Sequence, residues 1–459
     1  MRLPTRRPTR LRNAATLLLS AVILSGAALY NGYPLVYPDT GGYLLVHNYP
    51  LRSIFYSLFV APARLTGTLW TVIFAQALLT AYLLRLVLRE VFAIASRVGF
   101  LIIIALLSAL TSLPWCAGYL MPDIFTPVMV LGLFMLAFCP ERLSRWERCY
   151  VIALTFVAAI VHYSHLPIAI GLMLVGLMFR VVLRRRAPNA GPHLMIPAFV
   201  IAAGVVAIVI SNYLTLGLVT FSPAGYAFEL ARLVADGPAV EYLRENCATR
   251  KYAACAYLNR MPMDSVEFIF SNDGLFKTVG FLAERKEGQE IIAGTIERYP
   301  LWVLRNAVAD TLSQIGRGQT GDDLGSLLDN LYPTVALRSH YPADFPAYAN
   351  SRQGRGELRH LRGIQRLDWN FAILSAVYCS LIAILLARDG QWLPVELLIT
   401  VGFAVLVNAF VAGAISNPSN RYGSRIIWML PLVAIASWRR ALGLPDADRA
   451  RNPDASRRA

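Results

Sequence analysis

Charged residues are scarce in this chain of 459 residues. Asp, Glu, Lys and Arg make up 15% of the sequence and hydrophobic residues 56%, whereas soluble globular proteins average roughly 25% charged residues. A soluble fold could not bury so much apolar surface. The composition therefore excludes an ordinary soluble protein and indicates a polytopic membrane protein.

Motifs for nucleotide, metal and nucleic-acid binding are also missing. The sequence has no P-loop, no GxGxxG loop and no DxD-type motif of cytosolic sugar-nucleotide enzymes, and its cysteines and histidines lack zinc-site spacing. The net charge is +15, but the basic residues lie at the ends of apolar runs and are not interleaved with aromatic residues. We therefore expect no nucleic-acid partner, predict no cofactor and no metal site, and leave a divalent metal requirement open.

Apolar runs long enough to cross about 30 Å of hydrocarbon are abundant. They predict an all-α polytopic membrane protein with about ten transmembrane helices, and a mainly α-helical extracytoplasmic domain between spans seven and eight. The predicted spans are 13–31, 67–88, 98–119, 122–139, 149–163, 166–183, 194–216, 370–388, 394–415 and 424–438.

Basic residues set the orientation, because Lys and Arg accumulate on the cytoplasmic side of membrane proteins. With both termini inside, the inner segments carry 22 Lys and Arg residues and the short outer connections carry four. We therefore expect a multi-pass protein of a bacterial-type inner membrane, in contact with its lipids, with cytoplasmic termini. The expected units are an N-terminal bundle of about seven spans (1–216), an extracytoplasmic domain (217–369), about three C-terminal spans (370–438) and a disordered cytoplasmic tail (439–459).

The segment 217–369 is the candidate for a folded part outside the membrane. Helical patterns predict helices over Ala239–Asn246, Gly288–Glu297 and Leu301–Ile315. The stretch from Arg317 to Gly363 is rich in Gly, Asp, Ser and Arg, so we expect it to be mostly loop.

Two cysteines, Cys247 and Cys255, lie in this outer segment. Because the extracytoplasmic compartment is oxidising, we predict a disulfide between them, with two free thiols as the alternative. Cys139, Cys149 and Cys379 lie at the cytoplasmic face or within a span and are expected to be thiols.

Ionisable residues from several separate segments share the predicted outer face. Such groups are costly to place at membrane depth and often mark functional sites. Each also has a structural interpretation, because an acid can cap or begin a helix and histidines or arginines can anchor at the interface. Their shared side and depth favour the functional interpretation. The residues are Asp39, Arg52, Asp123, His162, His165, Arg421 and Tyr422.

This set of side chains suits one kind of chemistry. A carboxylate beside a groove open to the bilayer can remove a proton from a sugar or lipid hydroxyl. Cationic groups opposite it can hold a lipid-linked phosphate and stabilise it as a leaving group. The pattern therefore favours glycosyl transfer outside the cytoplasm, where ATP is absent and the polyprenyl tail of a donor stays in the bilayer.

The first 90 residues resemble the GT-C superfamily of polytopic membrane glycosyltransferases. After a basic start and one span, residues 37–44 read YPDTGGYL and residues 49–59 read YPLRSIFYSLF, ahead of a long second span. Family members have an acid in the first outer loop and an Arg/Pro/Tyr-rich start to the next helix. Asp123 after Pro122 is similar to the acid of their second outer loop, and Arg421-Tyr422 to an Arg-Tyr pair that opens a late helix. The family often has paired acids in the first loop, whereas this chain has one.

The resemblance implies an inverting glycosyltransferase that moves a sugar from a polyprenyl-phosphate donor to an envelope glycan or lipid acceptor. From the residues alone, two other functions stay open: a transporter or flippase for a lipid-linked or small polar substrate, and a non-catalytic envelope assembly protein. The expected roles are Asp39 as general base, Arg52, His162, His165 and Arg421 around the donor phosphate, and Asp123 and Tyr422 in support.

The orientation can be tested with a reporter protein fused after Pro342. We expect the reporter to behave as extracytoplasmic, because the basic residues concentrate on the other side of the predicted spans. The measurement compares an enzyme active only outside the cytoplasm with one active only inside it. Activity of the inside reporter at this position would contradict the orientation.

Overall fold

The computed structural model describes residues 6–46, 49–184, 191–322, 324–329 and 331–441. Within these ranges the secondary structure is helical, with no β-strand, so the predicted all-α class is confirmed. The predicted disordered tail lies outside the described residues from position 442 onward.

Long apolar helices alternate with short connecting helices. The N-terminal half contains α1 (Arg6–Leu24), α2 (Gly26–Asn31), α3 (Thr40–Leu44), α4 (Ile54–Val60), α5 (Ala63–Thr66), α6 (Trp70–Phe92), α7 (Arg97–Leu110), α8 (Leu113–Gly118), α9 (Phe125–Phe138), α10 (Arg145–Ile160), α11 (His165–Arg184) and α12 (Met195–Leu216). The C-terminal half contains α13 (Gly225–Ala235), α14 (Pro238–Arg250), α15 (Ser265–Phe270), α16 (Leu275–Thr278), α17 (Arg285–Arg298), α18 (Pro300–Ile315), α19 (Leu331–His340), α20 (Phe345–Ala349), α21 (Arg362–Arg388), α22 (Trp392–Ile415), α23 (Asn420–Ile427) and α24 (Met429–Ala441). Short 3-10 turns cover Pro122–Ile124, Ala253–Arg260 and Glu357–His360.

Four of the described helices are long and apolar enough to cross a membrane: α6, α12, α21 from Gln365 onward, and α22. They coincide with the second, seventh, eighth and ninth predicted spans. The other predicted spans correspond to shorter or interrupted helices. A membrane protein is thus indicated, and the count of ten spans stays a prediction.

Helix breaks explain why apolar runs in the sequence are longer than the helices they form. The third run stops at Leu110 because Thr111 adopts extended backbone, and a new helix begins at Leu113. The first run is interrupted at Ser25, between α1 and α2. A hydrophobic run records the preference for lipid but not the local backbone, so its length overstates helix length.

The helix α9 forms the centre of the bundle and leads directly from the outer face. Every residue from Phe125 to Ala137 is buried, as expected of a helix that is apolar on all sides. Gly132 lets α10 approach closely, since a Cβ there would lie 2.1 Å from the hydroxyl oxygen of Thr155. The turn before α9 carries Asp123, which is therefore attached to the most enclosed helix of the protein.

A second hydrophobic core lies in the segment after α12. It is built from side chains of α13 to α17, including Tyr226, Phe268 and Ile291. A disulfide joins Cys247 to Cys255 and confirms the predicted pairing. The three predicted helices of this segment are present as α14, α17 and α18.

The helix α18 packs along α22, one of the four helices long and apolar enough to cross a membrane. Gly413 permits the contact, because a Cβ there would lie 2.5 Å from the carbonyl oxygen of Asp310. The opposite side of α18 exposes Leu301, Leu304 and Leu312, each more than half accessible. A continuous apolar stripe beside a spanning helix is typical of a helix that contacts lipid.

The expected loop from Arg317 to Gly363 is only partly a loop. Residues 331–360 of this stretch contain α19, α20 and a 3-10 turn. Gln353 is fully buried there and pairs with both backbone groups of Val36, at 2.9 Å and 2.6 Å. Asp344 accepts the backbone N–H of Leu69 at 2.7 Å. The polar composition of this stretch predicts a loop. The sequence alone does not show that these polar side chains form hydrogen bonds with backbone groups far away in the chain.

Glu284 gives the outer segment a pH-dependent stability. Glu284 is buried at the N-cap position of α17. Burial and the nearby carboxyl group of Glu287 raise the pKa of Glu284 to about 8. The folded protein therefore binds this proton more tightly than the unfolded chain, so the stabilisation is complete at low pH and is lost as pH rises through about 8. We expect the melting temperature of the unaltered protein to fall relative to that of Glu284→Gln between pH 5 and 9, measured by thermal unfolding in detergent.

Glu297→Gln provides a matched control, because Glu297 is exposed on the same helix, α17. The difference in melting temperature between Glu297→Gln and the unaltered protein should not change over this pH range. A pH-independent difference for Glu284→Gln as well would contradict the prediction.

Candidate functional site

Five charged side chains from four separate parts of the chain meet at the predicted outer face. Arg52 pairs with Asp39. Nη1 of Arg421 lies 3.0 Å from Oδ2 of Asp39, and its Nη2 lies 2.8 Å from Oδ2 of Asp123. Arg425 lies on the far side of Asp123, with Nη1 3.6 Å from Oδ1. These five residues, which alternate in charge, are called the charged network below.

Buried hydrogen bonds fix the backbone around Asp39. The hydroxyl of Thr40 accepts the backbone N–H of Tyr37 at 2.8 Å and donates to the carbonyl of Leu120 at 3.2 Å. Thr40 is fully buried, so this pair of bonds ties the Asp39 turn to the segment that leads into α9. The first and second outer segments are thereby held together.

The Asp39 carboxylate does not cap a helix. Asp39 occupies the N-cap position of α3, yet its side chain makes no capping hydrogen bond. Both of its oxygens instead accept guanidinium N–H groups, Oδ1 from Arg52 and Oδ2 from Arg421. The capping interpretation of Asp39 is therefore wrong, because two nearby cations attract the carboxylate more strongly than backbone amides do.

Two consecutive glycines make the approach of Arg52 possible. A Cβ on Gly42 would lie 2.1 Å from Nη1 of Arg52, so the guanidinium can cross α3 only over a glycine. A Cβ on Gly41 would lie 2.8 Å from the carbonyl oxygen of Tyr332 and 2.9 Å from Cα of Pro333, in the first turn of α19. The Gly-Gly pair therefore seats α3 between α19 and Arg52.

Tyrosine rings surround Arg52. The guanidinium carbon lies 5.5 Å from the ring centre of Tyr43, 5.7 Å from that of Tyr49 and 5.8 Å from that of Tyr332. Aromatic faces attract a cation and replace part of its hydration. These rings stabilise the charge of Arg52.

Asp123 is the buried anion of the charged network. Its side chain is 5% exposed and that of Arg425 is 1% exposed. Arg421 binds Asp123 with two hydrogen bonds, at 3.1 Å and 2.8 Å. Arg425 donates to Oδ1 of Asn408 on α22 at 3.2 Å and 2.8 Å. Each buried charge therefore has partners, as burial of ionised groups requires.

The start of α23 is positioned by residues that precede α19. Oδ2 of Asp322 accepts the backbone N–H of Arg421 at 3.0 Å and the hydroxyl of Ser419 at 3.1 Å. The buried Gln314, at the end of α18, pairs with both backbone groups of Ser419, at 2.9 Å and 2.8 Å. Gln314 and Asp322 thus fix the backbone position of Arg421.

The two predicted histidines differ in position. His162 is half-buried and hydrogen-bonds through Nδ1 to Ser164 at 2.8 Å, and Ser164 also accepts Arg425 at 3.4 Å. His165 is fully buried, with its two ring nitrogens bound to the hydroxyl of Thr126 at 2.7 Å and to a backbone carbonyl. His162 adjoins the charged network, whereas His165 has no ring nitrogen left for a phosphate.

Tyr422 and Tyr37 flank the arginines of α23. The Arg421 guanidinium lies 4.3 Å from the ring centre of Tyr37 and 5.5 Å from that of Tyr422. Arg425 lies 4.8 Å from the Tyr422 ring. The predicted supporting role of Tyr422 is compatible with this contact.

The charged network carries one excess positive charge, because three arginines face two aspartates. Asp39 lies in a loop outside the predicted spans, and its side chain is 31% exposed. Burial alone would raise the pKa of Asp39, but the charges of Arg52 and Arg421 outweigh burial and lower the pKa to about 2. Asp39 is therefore ionised at every physiological pH.

A narrow cleft of about 20 Å³, which has room for about one water molecule, begins at Arg421. Its walls combine aromatic rings with acids, hydroxyl groups and the Arg421 guanidinium. The hydroxyl of Tyr119 closes one side by donating to the carbonyl of Asp322 at 3.0 Å. The lining residues are Tyr37, Trp115, Cys116, Tyr119, Met121, Asp123, Thr320, Gly321, Asp322, Arg421 and Ser424.

Several site residues escape analysis of the sequence. Arg425 reads as an interfacial arginine, although it is one of the most deeply buried charges. Asn408 can be recognised from the sequence, because a polar residue inside an apolar span needs a partner. Asp322 gave none, because it stands in a polar stretch where any acid is unremarkable.

The described part of the chain contains no preformed metal site. Among those residues, no group of three or more His, Cys, Asp or Glu side chains is placed to hold an ion. The acids of the charged network are instead engaged by arginines.

No protein-family model matches the chain, and comparisons with curated proteins and with solved structures find no match. The resemblance to GT-C enzymes therefore depends on the short motifs around Asp39, Asp123 and Arg421. The geometry of the charged network is independent of that resemblance.

Asp123 and Asp39 should differ in their effects on stability. Asp123→Asn leaves Arg421 and Arg425 buried beside a neutral side chain, and breaking a buried ion pair costs about 3–5 kcal/mol. Asp39→Asn should cost less, because the Asp39 side chain is 31% exposed and Arg421 keeps Asp123 as its partner. Thermal unfolding in detergent should therefore give the order unaltered protein, Asp39→Asn, Asp123→Asn. An equal loss for the two variants would contradict the assignment of Asp123 as the structural anion.

Proposed function

We propose that the protein is an integral membrane glycosyltransferase. It transfers a sugar from a polyprenyl-phosphate donor to an envelope glycan or lipid acceptor at the extracytoplasmic face, with inversion at the sugar carbon. The observation that carries the proposal is the position of Asp39, a partly exposed carboxylate held between two guanidinium groups. A base and a phosphate-binding charge are thereby adjacent.

The proposed reaction needs one base and one stabilised leaving group. The acceptor hydroxyl oxygen attacks the anomeric carbon of the donor and loses its proton to Asp39. The bond between the anomeric carbon and the phosphate oxygen breaks, and polyprenyl phosphate leaves with both bonding electrons. Guanidinium groups stabilise the negative charge that develops on the phosphate.

The two arginines are suited to different parts of this reaction. Arg421 is anchored by two hydrogen bonds to the buried Asp123 and should remain in place. Arg52 has Asp39 as its anionic partner and is otherwise surrounded by tyrosine rings. A donor phosphate would compete with Asp39 for Arg52. If Arg52 moves from Asp39 to the phosphate, the basicity of Asp39 rises when the donor is bound.

The walls of the cleft beside Arg421 carry groups that suit the sugar of the donor. The cleft has room for about one water molecule in this structure and would have to widen to admit the sugar. Aromatic rings such as Tyr37 and Trp115 can cover the apolar face of a sugar ring, and the acids and hydroxyl groups can bind its hydroxyl groups. Arg421 forms part of the cleft and also touches Asp39. A sugar held there would have its reactive carbon close to the proposed base.

Replacement of Asp39 tests the proposal directly. Asp39→Asn preserves shape but removes the proton acceptor, and loss of a general base costs about two to four orders of magnitude in rate. Transfer of labelled sugar from polyprenyl-phosphate donors should be measured in membranes that contain equal amounts of each protein. Asp273→Asn, an exposed acid of the outer segment, should retain full activity.

Arg52→Lys separates binding from proton transfer. Lysine keeps the charge but loses the planar fork that suits phosphate, so the KM for the donor should rise more than kcat falls. Full transfer activity in Asp39→Asn would contradict the catalytic assignment and would favour the transporter or assembly functions.

A further inference from the structure

An apolar crevice opens at the end of the bundle opposite to the charged network. It lies between the C-terminal end of α9, the second half of α11, the start of α12 and Thr400 of α22, and it is a shallow crevice that encloses about 40 Å³ and is open on one side. The orientation predicted from basic residues places this end in the cytoplasmic leaflet. Its lining residues are Leu133, Phe134, Ala137, Phe138, Leu172, Met173, Val175, Gly176, Phe179, Pro192, Leu194, Pro197 and Thr400.

The walls of the crevice offer almost nothing to a polar ligand. The hydroxyl of Thr400 is the side-chain polar group among the lining residues, and it donates to the carbonyl of Glu396 within α22 at 2.7 Å. The apolar walls between membrane-embedded helices therefore match a hydrocarbon chain rather than a polar solute.

A guanidinium group stands at the rim of the crevice. Nη1 of Arg180, one residue beyond the lining Phe179, donates to the carbonyl of Pro192 at 3.1 Å. The described residues accept one hydrogen bond from the Arg180 side chain, the one to Pro192. The residues just before α12 lie against the end of α9, since the N–H of His193 donates to the carbonyl of Ala137 at 2.7 Å.

We infer that this crevice binds an anionic phospholipid, with an acyl chain between α9, α11 and α12 and the phosphate at Arg180. Apolar walls with a cation at the level of the headgroups are the arrangement in which inter-helix pockets hold acidic lipids. The ligand is a structural lipid of the bilayer, at the opposite end of the bundle from the proposed donor site. The inference is therefore independent of the glycosyltransferase proposal.

The test uses the full-length protein, delipidated in detergent and titrated with phosphatidylglycerol or phosphatidylcholine of identical acyl chains. Native mass spectrometry counts the lipids bound to each protein. The unaltered protein should bind one phosphatidylglycerol more tightly than phosphatidylcholine. Arg180→Ala should weaken phosphatidylglycerol binding about fivefold, the equivalent of about 1 kcal/mol per basic residue near the headgroups. Its phosphatidylcholine binding should be unchanged.

Arg142→Ala is the matched control for charge. Arg142 also belongs to the predicted cytoplasmic side and donates one hydrogen bond to a backbone carbonyl, that of Glu90 at 3.0 Å, but it does not line the crevice. Arg142→Ala should leave the binding of both lipids unchanged. An equal loss in Arg142→Ala and Arg180→Ala would show general attraction to basic residues and would overturn the assignment.

Two variants that fill the crevice test the chain-binding part. Gly176→Leu and Ala137→Leu each place a larger side chain in the lining and should reduce binding of both lipids. Each variant is included only if its melting temperature matches that of the unaltered protein, and using two positions guards against misfolding of one. Unchanged binding in both folded variants, or tighter binding of polyprenyl phosphate than of phosphatidylglycerol, would overturn the inference.

Discussion

Burial of Arg421 between Asp39 and Asp123 is the constraint on which the outer face depends. A guanidinium shielded from water needs carboxylate partners, and here they come from two outer segments that are far apart in the chain. The salt bridges therefore join the first loop, the turn before α9 and the start of α23. The same contacts keep Asp39 ionised and close to two cations, which is the feature that favours phosphate chemistry.

Small residues and backbone contacts make this arrangement possible. Gly42 gives Arg52 a path across α3, and Gly413 lets α18 lie against α22. Gln314 and Asp322 then hold the backbone that precedes Arg421. The segment between the spans thus acts as a framework for the site.

The two ends of the bundle have different chemistry. The outer end gathers acids, arginines and aromatic rings around Arg421, whereas the crevice at the other end is apolar with Arg180 at its rim. Such a division suits a protein that handles the head of a lipid-linked substrate on one side and contacts bilayer lipid on the other.

The sequence by itself determined the all-helical class and the disulfide and indicated a membrane protein, because these depend on composition, compartment and local pattern. It also singled out Asp39, Arg52, Asp123 and Arg421. Only the tertiary structure decided which charges pair, that Arg425 is buried and that His165 is fully engaged. Ion pairing depends on distances between segments up to hundreds of residues apart, and no local pattern encodes those distances.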